Sequence, residues 1–211
     1  MTDEVYRTSV HGGEAARASH PQVILAGTGV TGAGNSSAGS DPEPMPHIEH
    51  RSRGPAAVRF MVVTVSDSRC AETDDSGRII CRLLTEAGHA VTQWRIVRDE
   101  PLEVAAVVRE GVSIPMVDVV VLNGGTGISS RDVTFETLLA MIEKPIPGFG
   151  ELFRMLSFQQ VGSAAMLSRA TAGLVGGKAV FSIPGSPRAA ELAITRLILP
   201  EACHIVAETS R

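Results

Sequence analysis

Aromatic residues are scarce, at 4% of 211 residues with one Trp and one Tyr. A core of stacked rings is therefore excluded, and burial has to come from Val, Ile, Leu, Ala and Met. Cysteine is equally thin. Cys70, Cys81 and Cys203 are odd in number, far apart and without a Cys-x-x-Cys pair, which argues against a disulfide framework or a cysteine zinc site and for a reduced interior. Long apolar runs are missing: the longest early one, Val23-Ile24-Leu25-Ala26, is too short for a signal peptide or a membrane span. The expected location is cytoplasmic. Positive charge is not in excess either. The formal net charge of −4 argues against non-specific binding to nucleic acid or an anionic membrane, but a local anion site needs only backbone N–H groups. What remains, 44% hydrophobic and 20% charged residues, is the composition of a globular protein.

The chain changes character near Pro55. Before it Gly, Ser, Pro, Asp and His dominate, and residues 27–46 have almost nothing apolar to bury, so ordering them would cost entropy with no compensating burial. Residues 1–57 read as a flexible Gly/Ser/Pro-rich extension, and residues 58–211 as the folded domain. Gly27-Thr28-Gly29-Val30-Thr31-Gly32 matches a dinucleotide fingerprint, yet the Ala33-Gly34-Asn35-Ser36-Ser37 that follows opens a helix poorly, so a glycine-rich linker is preferred. His47-Ile48-Glu49-His50 carries metal-ligand side chains without a regular element to aim them, and reads as solvated linker.

From Arg59 onward the pattern is regular. Phe60-Met61-Val62-Val63-Thr64-Val65 and Val117-Asp118-Val119-Val120-Val121-Leu122 are nearly continuous apolar runs, the mark of strands buried on both faces. Residues 91–97 and 179–183 supply two more strands. Between them, Ile79, Ile80, Leu83, Leu84 and Ala87 follow the cap candidates Asp74, Asp75 and Ser76 at helical spacing and end at Gly88. Pro101 opens a helix with Val104, Val107 and Val108 on its apolar side, and residues 188–199 return over the sheet. Strands alternating with helices predict an α/β fold with a parallel sheet and helices on both faces. Ligands of such sheets bind beyond the carboxyl ends of the strands.

Those ends carry the chemistry. After the third strand comes Asn123-Gly124-Gly125-Thr126-Gly127-Ile128-Ser129-Ser130-Arg131-Asp132-Val133-Thr134. Its glycines allow close approach of the backbone, its N–H groups can form an anion nest, Thr126, Ser129 and Ser130 add hydroxyls, and Arg131 can complete a phosphate clamp. Asp132 suits a Mg²⁺ ligand or a hydrogen-bond partner; Asp132 or Thr134 can also cap the next helix, starting near Phe135. After the fourth strand, Pro184-Gly185-Ser186-Pro187-Arg188 repeats the arrangement of tight turn, hydroxyl and helix start. The first strand ends in Ser66-Asp67-Ser68-Arg69 and the second runs into Arg98-Asp99-Glu100, so Ser66, Asp67 and Asp99 are candidates for the crevice rim. Glu151 falls near a helix start, where the dipole favours a carboxylate.

The ordered set Val63-Thr64-Val65-Ser66-Asp67, Gly124-Gly125-Thr126-Gly127 with Arg131-Asp132-Val133-Thr134, Pro147-Gly148-Phe149-Gly150-Glu151, Leu167-Ser168-Arg169-Ala170 and Pro184-Gly185-Ser186-Pro187 resembles the molybdopterin-binding family that includes MogA and MoaB, over residues 60–205. The resemblance implies a three-layer α/β/α sandwich with a mostly parallel central sheet, assembled as a homotrimer or hexamer. It implies molybdopterin as substrate, adenylylated with Mg²⁺ and ATP with release of pyrophosphate, and a MoeA-type molybdate-inserting partner. Carried over by position, Asp99 and Asp132 are the catalytic carboxylates, with Asp132 the candidate contact to Mg²⁺. Gly124, Gly125, Thr126 and Gly127 hold the pterin or phosphate end, Pro184, Gly185 and Ser186 line the same pocket, and Glu151 and Arg169 support it. The family often has Thr where Asn123 stands, a change expected to cost little. The alternative is a non-catalytic molybdopterin-binding or delivery protein of the same fold. A face such as Leu152, Phe153 and Leu156 is available for a subunit contact.

Overall fold

Alternation along single strands divides the core into two halves. In β1 (Arg59–Val65), Phe60 and Val62 enter one apolar cluster while Met61, Val63 and Val65 enter the other. β3 (Val119–Asn123) does the same, with Val119 and Val121 on one side and Val120 and Leu122 on the other. Side chains of a strand point alternately to opposite faces, so a continuous apolar run requires a layer on each face. The computed structural model describes residues 54–210. The segments 27–32 and 47–50, like most of the proposed extension, lie outside the described residues.

The other strands are β2 (Ala90–Val97), β4 (Lys144–Pro145), β5 (Thr171–Val175) and β6 (Lys178–Ile183). They form one sheet in the order β2-β1-β3-β6-β5-β4. β2, β1, β3 and β6 run parallel, while β5 is antiparallel to β6 and to β4. The helices are α1 (Asp75–Glu86), α2 (Pro101–Ser113), α3 (Thr134–Met141), α4 (Pro147–Val161), α5 (Pro187–Ala193) and α6 (Leu199–Thr209). Buried side chains of α1, α4, α5 and α6 close one face of the sheet, and those of α2 and α3 close the other. The result is the expected three-layer sandwich.

Local chemistry sets the helix ends. Asp74 caps α1 by accepting the Gly77 N–H, and Gly88 follows the last turn at φ 84°, a left-handed conformation suited to glycine. Beyond α5 the backbone widens into a π turn over Ile194–Ile198 before α6. Pro200, in the first turn of α6, has no N–H to give the preceding turn, which accounts for the local change of pitch. The returning helical segment thus reaches Thr209 rather than residue 199.

Three elements depart from the sequence reading. β4 and β5 are antiparallel additions to the sheet edge, and β5 turns into β6 through Gly176 and Gly177, at φ 56° and 76°. α3 is not capped by Asp132 or Thr134, because its N-cap residue is Val133, without a side-chain cap.

Strand order positions the crevice. β1 leads to β2 on one side and, by way of β2, to β3 on the other, which is a topological switch point. Thr64 pairs with Asn123, and Asn123 with Ile183, so β1, β3 and β6 end level and their loops emerge side by side.

Candidate functional site

These loops enclose a crevice of about 570 Å³, within the range of small-molecule sites. The loop after β3 forms its floor. Gly124 sits at φ 108° and Gly125 at φ 61°; a Cβ on the first would stand 2.2 Å from the Val65 carbonyl oxygen, and on the second 2.1 Å from Thr134 Oγ1. Only glycine allows the backbone to pass there. Among the described residues, the N–H groups of Gly125, Thr126 and Gly127 have no protein acceptor. They are free for an anion.

Asp99 holds this loop from below. It is 5% exposed, and its Oδ1 accepts the Thr134 hydroxyl at 3.0 Å and the Val133 N–H at 3.3 Å. The carboxylate therefore ties the loop after β2 to the start of α3, where it does the work of the missing cap. Asp132 lies above, its Oδ2 accepting the Ser129 N–H at 3.2 Å.

Three guanidiniums line the crevice, those of Arg69, Arg131 and Arg169. Arg131 is a latch between loops. It grips Asp67 through Nε and Nη2 at 2.9 and 3.0 Å and reaches Glu100 at 2.8 Å. The Arg131 guanidinium beside Asp67 holds that carboxyl below the usual carboxylate range, and the hydrogen bond with Asp67, then that with Glu100, pushes the arginine up. Both groups are solvent-facing, so the pair contributes geometry more than stability. Arg169 stacks 4.8 Å over the Phe135 ring, donates to the Thr126 carbonyl at 2.9 Å and to that of Gly127, and pairs with Glu136. Glu136 is held low by that contact. Arg169 thus braces the glycine loop through its carbonyls.

Beneath lies a buried polar network. Asn123 Nδ2 donates to Thr64 Oγ1 at 2.9 Å, and its Oδ1 accepts the Ser76 hydroxyl at 2.7 Å. The fully buried Asp74 accepts from Gly77 N–H at 2.9 Å, Ser76 at 3.1 Å, Trp94 Nε1 at 3.1 Å and the Thr64 hydroxyl. The Asn123 side chain therefore serves the interior and not the ligand.

Of the residues expected from sequence, Ser66, Asp67, Asp99, Gly124, Gly125, Thr126, Gly127, Arg131, Asp132, Arg169, Pro184 and Gly185 line one crevice. Ser66 also organises its loop, its Oγ accepting the Arg69 N–H at 3.2 Å. Ser129, Ser186 and Glu151 are not among the lining residues. Ser186 instead caps α5, accepting the Ala189 N–H at 3.2 Å. Ser129 turns inward on its own loop, accepting the Arg131 N–H. Glu151 is exposed beyond the first turn of α4. The crevice also includes Arg69, and Ala164, Leu167 and Ser168 of the turn after α4, none of which was singled out. For Arg69 the signal was its place three residues beyond Ser66 at a strand end.

A doubly wound sheet with a glycine-floored crevice at its switch point defines an α/β protein of the class that binds ligands at the carboxyl ends of its strands. Residues 61–204 match the family described as "Probable molybdopterin binding domain". The chain is 51% identical to molybdenum cofactor biosynthesis protein B of Bacillus cereus over 164 residues, 77% of this chain and 97% of that one. A crystal structure of a molybdenum cofactor biosynthesis protein B is 52% identical with a TM-score of 0.73, covering 74% of this chain and 98% of that one. The tungsten cofactor synthesizing protein MoaB from Pyrococcus furiosus is 37% identical with a TM-score of 0.67, over 74% and 99%. The chain belongs to this molybdopterin-binding-domain family, together with the MoaB and MogA proteins.

Proposed function

We propose that the crevice binds molybdopterin and that the protein adenylylates it. An oxygen of the molybdopterin phosphate attacks the α-phosphorus of ATP, the new P–O bond forms, and the bond to the bridging oxygen breaks to release pyrophosphate. The carrying observation is that the free N–H groups of the glycine loop, three carboxylates (Asp67, Asp99 and Asp132) and three guanidiniums line one crevice. Phosphoryl-type transfer needs positioning and charge stabilisation rather than a covalent nucleophile. The open N–H groups of Gly125, Thr126 and Gly127 suit a phosphate, and Asp99 keeps them in register.

Among the described residues there is no cluster of three or more His, Cys, Asp or Glu side chains able to hold a metal. That fits Mg²⁺ arriving with the nucleotide, since this ion is commonly held by one or two carboxylates plus substrate phosphates. Asp132, at the crevice and only part-buried, is the carboxylate that would hold it, where it would neutralise phosphate charge. Replacing Asp132 with Asn should lower pyrophosphate release from Mg-ATP and molybdopterin by about 100-fold while pterin binding survives. Wild-type protein that binds molybdopterin and releases no pyrophosphate would instead be a binding or delivery protein.

We further propose that the protein acts as a homotrimer or hexamer and hands its product to a MoeA-type partner. Support for assembly comes from α4. Phe153 is fully buried and Leu156 packs on the core, so the sequence-derived face is only partly available. The exposed stripe is Leu152, Met155, Phe158 and Val161, continued by Met166 at 79% exposure. Such a contiguous apolar face marks an interaction surface. Phe158→Glu should shift the mass in analytical ultracentrifugation to the monomer; an unchanged oligomer would place the interface elsewhere. Among the described residues no helix is long and apolar enough to cross a membrane.

A further inference from the structure

The three crevice arginines are not equivalent. Arg131 has two carboxylates, Asp67 and Glu100, on one cation. Arg169 is spoken for by Glu136 and by two loop carbonyls. Arg69 differs in how few of its donors are spent. Its hydrogen bonds go to neutral acceptors, Ser76 Oγ at 2.6 Å and the Gly185 carbonyl at 2.9 Å. Its nearest carboxylate oxygen, on Asp74, is 3.6 Å away, and that buried carboxylate already receives four other donors.

Two of its five N–H donors are therefore committed, and the remaining three have no protein acceptor among the described residues. The two bonds, with the salt bridge to the buried Asp74 at 3.6 Å, fix the plane of the guanidinium and leave its other N–H donors open. They also fix its place. A Cβ on Gly185 would stand 3.0 Å from the Gly124 Cα and 3.7 Å from Arg69 Nη1, so the cation adjoins the start of the glycine nest. A planar fork with free donors beside open backbone N–H groups matches the oxygens of a phosphate.

We infer that Arg69 is the specificity-determining cation of the crevice, reading a terminal phosphate of the bound ligand while the Gly125–Gly127 amides take its remaining oxygens. This rests on the molybdopterin-adenylylation reading, under which the phosphate belongs either to the pterin or to the nucleotide. Ser76, held by Asn123 and facing Asp74, is the positioning residue that aims the guanidinium.

Isothermal titration of wild type, Arg69→Met and Arg69→Lys with molybdopterin, with Mg-ATP and with the phosphate-free 6-hydroxymethylpterin separates the possibilities. Arg69→Met is expected to weaken one phosphate-bearing ligand by roughly 10- to 100-fold and to leave the phosphate-free pterin unchanged. Arg69→Lys, which keeps charge but not the fork, should fall between. A loss confined to molybdopterin assigns Arg69 to the pterin phosphate, and one confined to Mg-ATP to the nucleotide. An equal loss for the phosphate-free pterin, or no loss for either phosphate ligand, overturns the inference. The fluorescence-monitored melt of Trp94 checks that each variant is folded. Wild type that binds Mg-ATP but no molybdopterin would overturn the pterin reading, and the Mg-ATP titrations would still decide the role of Arg69.

Discussion

Asp74→Ala is expected to destabilise the protein by about 3–5 kcal/mol, with a drop in thermal midpoint on the order of 10 °C. The side chain is fully buried, and its two oxygens collect the Gly77 N–H, the Trp94 indole N–H and the hydroxyls of Ser76 and Thr64. Ser76 keeps its bond to Asn123 Oδ1, but alanine leaves the Gly77 N–H, the Thr64 hydroxyl and the part-buried Trp94 N–H without this acceptor, and each unsatisfied group costs about 1–3 kcal/mol. It also strips α1 of its cap, worth about 1 kcal/mol. Against a total stability of about 5–15 kcal/mol, this is a large fraction. Asp74→Asn keeps the shape and one acceptor, but turns an NH₂ toward donors, and should recover only part of the loss. Urea denaturation followed through the single Trp measures both variants. A loss below 1 kcal/mol for the alanine variant would mean that water replaces the carboxylate and that the network is not sealed.

The same network marks the boundary of what the sequence discloses. The central strands were readable because a strand buried on both faces leaves an unbroken apolar run, as in Phe60–Val65 and Val119–Leu122. From that alternation of strands and helices the strand-end rule located the crevice, and Ser66, Asp99, Gly124 and Gly185 duly meet there. β5 was not readable in the same way. Thr171–Val175 is short and contains Gly173, and its signal lay in the Gly176-Gly177 turn, since two glycines between β-like segments specify a two-residue hairpin.

Side-chain roles needed distances that composition does not contain. Asp99 lies at the crevice but is buried beneath the glycine loop rather than at its rim, and its partner Thr134 lies 35 residues away, so its hold on α3 is not legible in the sequence. Arg69 reaches the Gly185 carbonyl across 116 residues, a contact that exists because β1 and β6, whose end loops carry the two residues, flank β3 in the sheet. Ser186 erred in the opposite direction. A hydroxyl before Pro187 satisfies both a pocket motif and a helix cap, and here its oxygen is turned to the Ala189 N–H. Asn123 follows the same lesson: placed beside the glycine motif, it points away from the crevice because Thr64 and Ser76 offer it buried partners.

The glycine loop yields the largest expected effect on binding. Gly124→Ala should weaken ligand affinity on the order of 100-fold and destabilise the fold by about 2–4 kcal/mol. Two causes add. At φ 108° an L side chain is strained wherever there is space, and here there is none, since the new Cβ meets the Val65 carbonyl oxygen at 2.2 Å and its carbon at 3.2 Å. Val65 ends β1, the strand held between β2 and β3, so the obstacle cannot retreat. The loop must move instead, and with it the N–H groups of Gly125, Thr126 and Gly127 and the hydrogen bond from Gly124 N–H to the Ile183 carbonyl. Gly148→Ala is the control from another motif of the same chain. Its Cβ would meet nothing within 4 Å, and alanine in the first turn of α4 should leave binding unchanged and raise stability by up to about 1 kcal/mol. Titration with molybdopterin and thermal melts of both variants test the contrast. Equal affinities for the two would show that the ligand does not rest on the Gly124–Gly127 backbone, and would remove the glycine floor from the site.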